Sequence, residues 1–290
     1  MKKIFDEIVD GVVAYMDNSG LKSMVLGISG GIDSTVCAAI GWKVKQKRPY
    51  LEFYGVSLPC STNERSEVDA ALMVGTAFFQ PTKFWETNLQ STFEVVAALC
   101  SEQVENTPLS NGNIKARLRN IYLRDLAGKT GGLVLDTDNT SENNLGFFTI
   151  AGDVGDLNPI GDLWKHEVQE LARWMVIENF GIFNSAQKEA VQASLELTPT
   201  DGNGVAAGGD LAQIAPTLKN YEELDEILSV IVDYHEGNFE DPRAHYELAE
   251  DLKDLKEKYG EETVNRIEKR YLGSAFKRKK LPIKIELSSC

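Results

Sequence analysis

The sequence predicts an α/β fold, in which a doubly wound, Rossmann-like parallel sheet is followed by a helical C-terminal part. Three observations point there. Short apolar runs alternate with amphipathic helical patterns over the first half of the chain. A Gly-rich polar turn, Gly27-Ile28-Ser29-Gly30-Gly31-Ile32-Asp33-Ser34, joins the first of those runs to a helical stretch. After residue 160 the chain becomes helical. Strands that alternate with helices build a parallel sheet with helices on both faces.

Each element follows from its own pattern. Ile4, Phe5, Ile8, Val9, Val12, Val13 and Met16 fall on one face of a helix over residues 4–17. Met24-Val25-Leu26 opens the first strand, 24–28. A helix over 33–46 turns Val36, Ala39, Ile40 and Val44 inward. Phe53-Tyr54-Gly55-Val56-Ser57-Leu58 is the second strand, stopped by Pro59. Asn63 is expected to N-cap a helix running to Phe78, with Glu67 in its first turn. A short strand near 83–86, a helix near 89–104, a helix from Asn113 to Leu126 and a buried strand at Leu133-Val134-Leu135 follow. Leu163, Val168, Leu171, Ala172 and Met175 mark one more amphipathic stretch. Residues 198–210 carry Pro199, Gly202, Gly204, Gly208 and Gly209 and read as a mobile loop, of the kind that forms a lid. Residues 220–272 are helical and acidic, a solvated face, and the tail from Phe276 turns basic. We read 1–290 as one domain, with the sheet-bearing core at about 20–180 and a helical region at about 181–290.

Composition excludes several classes. A net charge of −14 argues against a general nucleic-acid surface. No apolar run approaches the ~20 residues that span a bilayer, so no membrane partner is expected. The first residues lack a signal-peptide pattern, and the expected compartment is the cytoplasm. Cys37, Cys60, Cys100 and Cys290 are widely spaced and read as reduced thiols. His166, His235 and His245 show no ligand spacing and read as structural.

The polar turn carries the chemistry. A helix N-terminus offers unpaired N–H groups to an anion, and glycines let phosphate approach the backbone closely. Ser29, Gly30, Gly31 and Ser34 would aim N–H and hydroxyl groups at one point. The Asp33 carboxylate would repel phosphate unless a divalent cation lay between them. The pattern therefore points to ATP. It is neither a Walker A loop nor the dinucleotide fingerprint Gly-x-Gly-x-x-Gly. The loops at 27–34, 57–63 and 136–146 all leave carboxyl ends of strands, where parallel sheets bind ligands. Lys115, Arg117 and Arg119 are closely spaced cations on one helix, and Arg suits carboxylate and phosphate. In Thr137-Asp138-Asn139-Thr140-Ser141-Glu142, Glu142 can reach a cation and Thr137 can bond a nucleotide.

Ser29-Gly30-Gly31-Ile32-Asp33-Ser34 resembles the pyrophosphate loop of the N-type ATP pyrophosphatases, the adenine nucleotide alpha hydrolase type. Gly112-Asn113-Ile114-Lys115-Ala116-Arg117-Leu118-Arg119, Thr137 to Glu142, and Gly152-Asp153 to Asp156 with Lys165 narrow this to a resemblance to the NAD synthetase family over about 23–170. The resemblance implies ammonia-dependent amidation of deamido-NAD. ATP would adenylate the nicotinate carboxylate, and ammonia would then displace AMP, giving NAD, AMP and pyrophosphate. It implies that Gly27, Ile28, Ser29, Gly30, Gly31, Ile32, Asp33 and Ser34, with Thr137, Lys165 and Thr200, bind ATP. It also implies that Asp33 and Glu142 hold Mg²⁺, that Asp33 and Lys165 are catalytic, and that Arg117, Asp156 and Lys277 bind deamido-NAD. The resembling enzymes are homodimers, and the ammonia is expected to be free or to come from a separate glutaminase.

The chain departs from the family pattern at three positions: Asp136 replaces a Gly, Ile150 a Lys and Phe276 a His. The Lys normally touches deamido-NAD, so that contact is lost or comes from elsewhere, with Lys115 or Arg119 as candidates. Two rival readings stand beside this one. One is an adenylating enzyme of the same group acting on a different carboxylate. The other is a non-catalytic nucleotide sensor, against which the presence of both Asp33 and Glu142 argues.

Overall fold

The computed structural model describes residues 1–198, 209–237 and 242–279. Strands β1 (Ser23–Gly27), β2 (Glu52–Ser57), β3 (Phe84–Glu86) and β4 (Gly132–Val134) form one parallel sheet in the order β3-β2-β1-β4. Val25 pairs with Tyr54 on one side and Val134 on the other. Because β1 is central, the turns after β1, β2 and β4 leave one edge side by side, and the strand order reverses there.

The described residues form thirteen helices: α1 (Lys2–Ser19), α2 (Ile32–Lys47), α3 (Arg65–Phe78), α4 (Gln90–Cys100), α5 (Pro108–Thr130), α6 (Thr140–Leu145), α7 (Lys165–Ile177), α8 (Ser185–Glu196), α9 (Gly209–Ile214), α10 (Tyr221–Glu236), α11 (Pro242–Tyr259), α12 (Glu261–Gly273) and α13 (Ala275–Arg278). The alternation of β1 shows the double winding. Met24 and Leu26 join the larger core with Phe5, Val9, Val36, Ile40 and Leu171, while Val25 packs with Ala127 and Val134 beneath α5. Helix α2 keeps Val36, Ala39, Ile40 and Val44 inward as expected, but Thr35, Cys37, Ala38 and Gly41 are buried too. It contacts α1, α3, α7, α8 and the sheet, so it is enclosed rather than striped.

Three boundaries differ from expectation for local reasons. Asn63 does not cap α3. Glu64 occupies that position, its N–H is held by the Glu67 carboxylate at 3.0 Å, and Asn63 accepts the N–H of Cys60. Helix α4 stops at Cys100, where Ser101 bonds back to the last turn. Helix α5 starts at Pro108 rather than Asn113, because Thr107 and Ser110 cap each other and Pro fits the first helical position.

Contacts divide the chain into two compact units. One comprises Met1–Thr140 with Phe148–Asp210, the other Ser141–Phe147 with Leu211–Cys290. The helical region expected from 181 onward thus gives α8 to the first unit and α10 to α13 to the second. In the second unit, Leu224, Ile227, Leu228 and Ile231 of α10 and Val264, Ile267 and Tyr271 of α12 are buried.

Candidate active site

The turn between β1 and α2 is built as a closed loop. Gly30 takes φ +88°, and a Cβ there would lie 2.3 Å from the carbonyl oxygen of Glu67, so only glycine lets the turn lie against α3. The Ser29 and Ser34 hydroxyls meet at 3.1 Å, and the Gly31 N–H donates to Ser29 Oγ at 3.2 Å. These are long bonds for hydroxyl groups. No side chain caps the head of α2. Its first N–H groups are therefore the orphan donors that attract an anion.

Asp33 stands at that head. Its Oδ2 lies 2.5 Å from the Lys165 ammonium, and its Oδ1 accepts the Asn139 side-chain amide at 3.0 Å. The Lys165 side chain is 5% exposed and Asp33 17%. Three segments distant in sequence converge here: the β1–α2 turn, the loop after β4 and the first residue of α7. The sequence named Asp33 and Lys165 but not Asn139, which lies inside the Thr137–Glu142 motif and is fully buried.

Asp136 shows what its departure from glycine does. Its Oδ1 accepts the N–H of Asp138 at 2.9 Å and its Oδ2 that of Gly155 at 3.0 Å, pinning the loop after β4 to the 152–157 segment. Burial pushes this carboxyl above the usual range, although the N–H groups of Asp138, Gly155 and Thr137 and the Arg124 guanidinium pull against it. Thr137 lies next to it, half-buried, at the carboxyl end of β4.

The cations of α5 have separate destinations. Arg117 donates from Nη2 to the Ile150 carbonyl at 3.3 Å. Asp156 is held by Arg124 at 2.6 Å and accepts the Val134 N–H at 3.0 Å. Lys115 and Arg119, the candidates for replacing the lost lysine, face the loop after β2 instead. The Lys115 ammonium lies 3.0 Å from Thr62 Oγ1 and 4.9 Å from the Phe93 ring, while Arg119 donates to the Leu58 carbonyl and to Asn63 Oδ1.

Two named residues belong to the second unit. Glu142 lies in the first turn of α6. Lys277 donates to the Gly146 carbonyl at 2.7 Å, Arg270 to that of Leu145 and Arg278 to that of Asn144. The basic tail thus satisfies carbonyls at the end of α6, as cations at helix C-termini do. Thr200 and most of the expected lid lie outside the described residues.

The model of the family described as NAD synthase matches residues 4–281. The NH(3)-dependent NAD(+) synthetase of Methanococcoides burtonii is 30% identical over 228 residues, covering 78% of each chain. That of Pseudomonas aeruginosa strain LESB58 is 34% identical over 231 residues, 76% of this chain and 82% of the relative. Among solved structures, an NMN synthetase from Francisella tularensis aligns over 99% of this chain and 98% of its own, with a TM-score of 0.72 at 23% identity. An NH3-dependent NAD synthetase from Campylobacter jejuni aligns over 87% and 93%, with a TM-score of 0.59 at 23% identity. These two likenesses are likenesses of fold.

Proposed function

The chain belongs to the NAD synthase family, and from that membership we infer that it is an ATP-dependent ligase that amidates deamido-NAD with ammonia to give NAD. The observation that carries this onto its own residues is the buried Asp33–Lys165 pair at the uncapped head of α2, tied by Asn139 to the loop after β4.

The chemistry has two halves. A carboxylate does not yield its oxygen to ammonia directly. Its oxygen therefore bonds to the α-phosphorus of ATP while the bond from that phosphorus to the pyrophosphate oxygen breaks. Ammonia then bonds to the acyl carbon, the C–O bond to AMP breaks, and the nitrogen loses a proton to water. The protein contributes positioning and charge neutralisation. The N–H groups at the head of α2, the Ser29 and Ser34 hydroxyls and the Lys165 ammonium hold the departing pyrophosphate. Thr137 and Thr200 are assigned to ATP, and Arg117, Asp156 and Lys277 to deamido-NAD, on their motifs.

Mg²⁺ fits the donor chemistry of Asp33, a hard carboxylate beside the anion-binding helix head. Among the described residues no group of three or more His, Cys, Asp and Glu side chains could hold a metal ion. Mg²⁺ is commonly held by one or two carboxylates plus phosphate and water. When bound, Mg²⁺ supplies charge neutralisation on the phosphates. Asp33 and Glu142 are assigned to it on their motifs.

The deciding assay supplies ATP, Mg²⁺, deamido-NAD and ammonium. NAD, AMP and pyrophosphate in equal amounts are expected; ADP as product, or no NAD, refutes the reading. A second reading, amidation of a different carboxylate, draws on Ile150, where an ammonium is replaced by a side chain without charge. Pyrophosphate release across a panel of acids separates the two.

The homodimer belongs to the same proposal. No residue of α4 is buried, and Val95, Leu99, Val104 and Leu109 on and around it are 61–76% exposed. Contiguous exposed apolar surface marks interaction sites, and we propose that these residues form one. Light scattering is expected to give two copies. The Val95→Glu/Leu99→Glu double variant should weaken association ~100-fold or more by burying charge against its own symmetry mate. A wild-type monomer would end the proposal. The cytoplasmic setting expected from the sequence remains a proposal.

A further inference from the structure

Helix α5 presents a polar stripe at Asn113, Arg117, Asn120 and Arg124, spaced i, i+4, i+7 and i+11 on one face. Each member meets the next stretch of one segment. Asn113 Oδ1 accepts the Thr149 hydroxyl at 2.8 Å, and Arg117 donates to the Ile150 carbonyl. Asn120 Nδ2 donates to the carbonyls of Gly152 and Val154. Arg124 donates to the Val154 carbonyl at 3.0 Å and pairs with Asp156. Of the four, Asn120 alone is buried.

The segment needs holding. Ala151 takes φ +55°, a left-handed conformation costly for a residue with a Cβ and kept only where neighbours enforce it. Gly152 N–H donates to the Thr149 carbonyl and Thr149 N–H to Asp153 Oδ1, closing the turn. The Asn120 amide points its donors at this turn, while its Oδ1 is buried with no hydrogen-bond partner. Asparagine kept only for packing gains nothing from a buried unpaired oxygen. Here the unpaired oxygen accompanies two bonds that span the turn. The far end of the segment reaches the ATP side, because Gly155 donates to Asp136, whose other oxygen holds Asp138 next to Asn139.

We propose that Asn120 is a positioning residue, which fixes the 149–156 segment so that Arg117 and Asp156 face the substrate correctly. This rests on the functional reading above, in which that segment lies on the deamido-NAD side. Asn120 touches no reacting atom.

The test compares wild type with Asn120→Ala and with Asn120→Asp, which keeps the shape but turns a carboxylate oxygen toward two carbonyls. Steady-state kinetics should show KM for deamido-NAD raised at least tenfold in both variants, with KM for ATP within twofold of wild type. Hydrogen–deuterium exchange of the ligand-free protein should be at least tenfold faster at 149–156 and unchanged at β1 and α2. An unchanged KM for deamido-NAD, unaltered exchange at 149–156, or an equal loss toward both substrates with a lowered Tm would overturn the proposal. Should wild type form no NAD, the functional reading fails, and exchange at 149–156 still decides whether Asn120 pins the segment.

Discussion

Lys165→Met should lower NAD formation by at least a thousandfold. The ammonium lies 2.5 Å from Asp33 beside the head of α2, and the pair is nearly shielded from water. A fixed donor aimed at developing charge is worth roughly 10²–10³ in kcat. Lys165 is also asked to neutralise pyrophosphate as it leaves, so its loss falls at or beyond the upper end. The same change strips Asp33 of its counter-charge. Removing one partner of a buried pair costs about 3–5 kcal/mol, because the remaining charge stays desolvated. Asn139 still bonds Oδ1 but carries no charge. Lys165→Met should therefore lower Tm as well as activity.

The double variant Asp33→Asn/Lys165→Met separates the two effects. With no buried charge left unpaired, it should recover most of the lost stability and none of the activity, a coupling that thermal melts and pyrophosphate release read independently. Lys165→Arg keeps the charge but replaces a compact ammonium by a planar fork, and should retain a few per cent of activity at most. If Lys165→Met stayed within tenfold of wild type, Lys165 would have no part in the chemistry.

Much of this architecture was legible in the chain, and its gaps have physical causes. The strands announced themselves because a parallel sheet covered on both faces needs unbroken apolar runs, as in Met24-Val25-Leu26 and Leu133-Val134-Leu135. The sequence starts helix α5 at Asn113, five residues after its true start at Pro108, because Gly112 looks like a breaker. In the fold Gly112 is buried, and the true start is set by the Thr107–Ser110 cap. The motif Gly112 to Arg119 is visible in the sequence as a cluster of cations, but the two uses of this helix are not. Lys115 and Arg119 serve the loop after β2, and Asn113, Arg117 and Asn120 serve the 149–156 segment. Helical spacing separates those two sets in the sequence itself; what each would face is tertiary information. Asn139 and Asp136 were hidden for the same reason, since their partners Asp33 and Gly155 come from other loops.

Gly30→Ala should abolish productive ATP binding, raising KM for ATP at least a hundredfold, and should cost stability as well. The added Cβ would lie 2.3 Å from the Glu67 carbonyl oxygen and 2.9 Å from the Ala71 nitrogen, both backbone atoms of α3 that cannot rotate away. The residue also sits at φ +88°, where a Cβ costs about 1–2 kcal/mol before any clash. Overpacking adds about 1–3 kcal/mol, and a fall in Tm of roughly 5–15 °C follows. Relief requires the turn to leave α3 or α3 to leave the turn. The first breaks the Ser29–Ser34 and Gly31–Ser29 bonds that shape the anion site. The second displaces Glu67, which holds Asn63 and through it the loop after β2. Either route disturbs the ATP side before any substrate arrives. Gly11→Ala is the matched control: it lies in α1 with open space around its Cβ. It should leave both KM values alone and gain up to about 1 kcal/mol from helix propensity. Wild-type KM for ATP in Gly30→Ala would mean that the turn does not hold the phosphates, and the assignment of residues 27–34 would have to be abandoned.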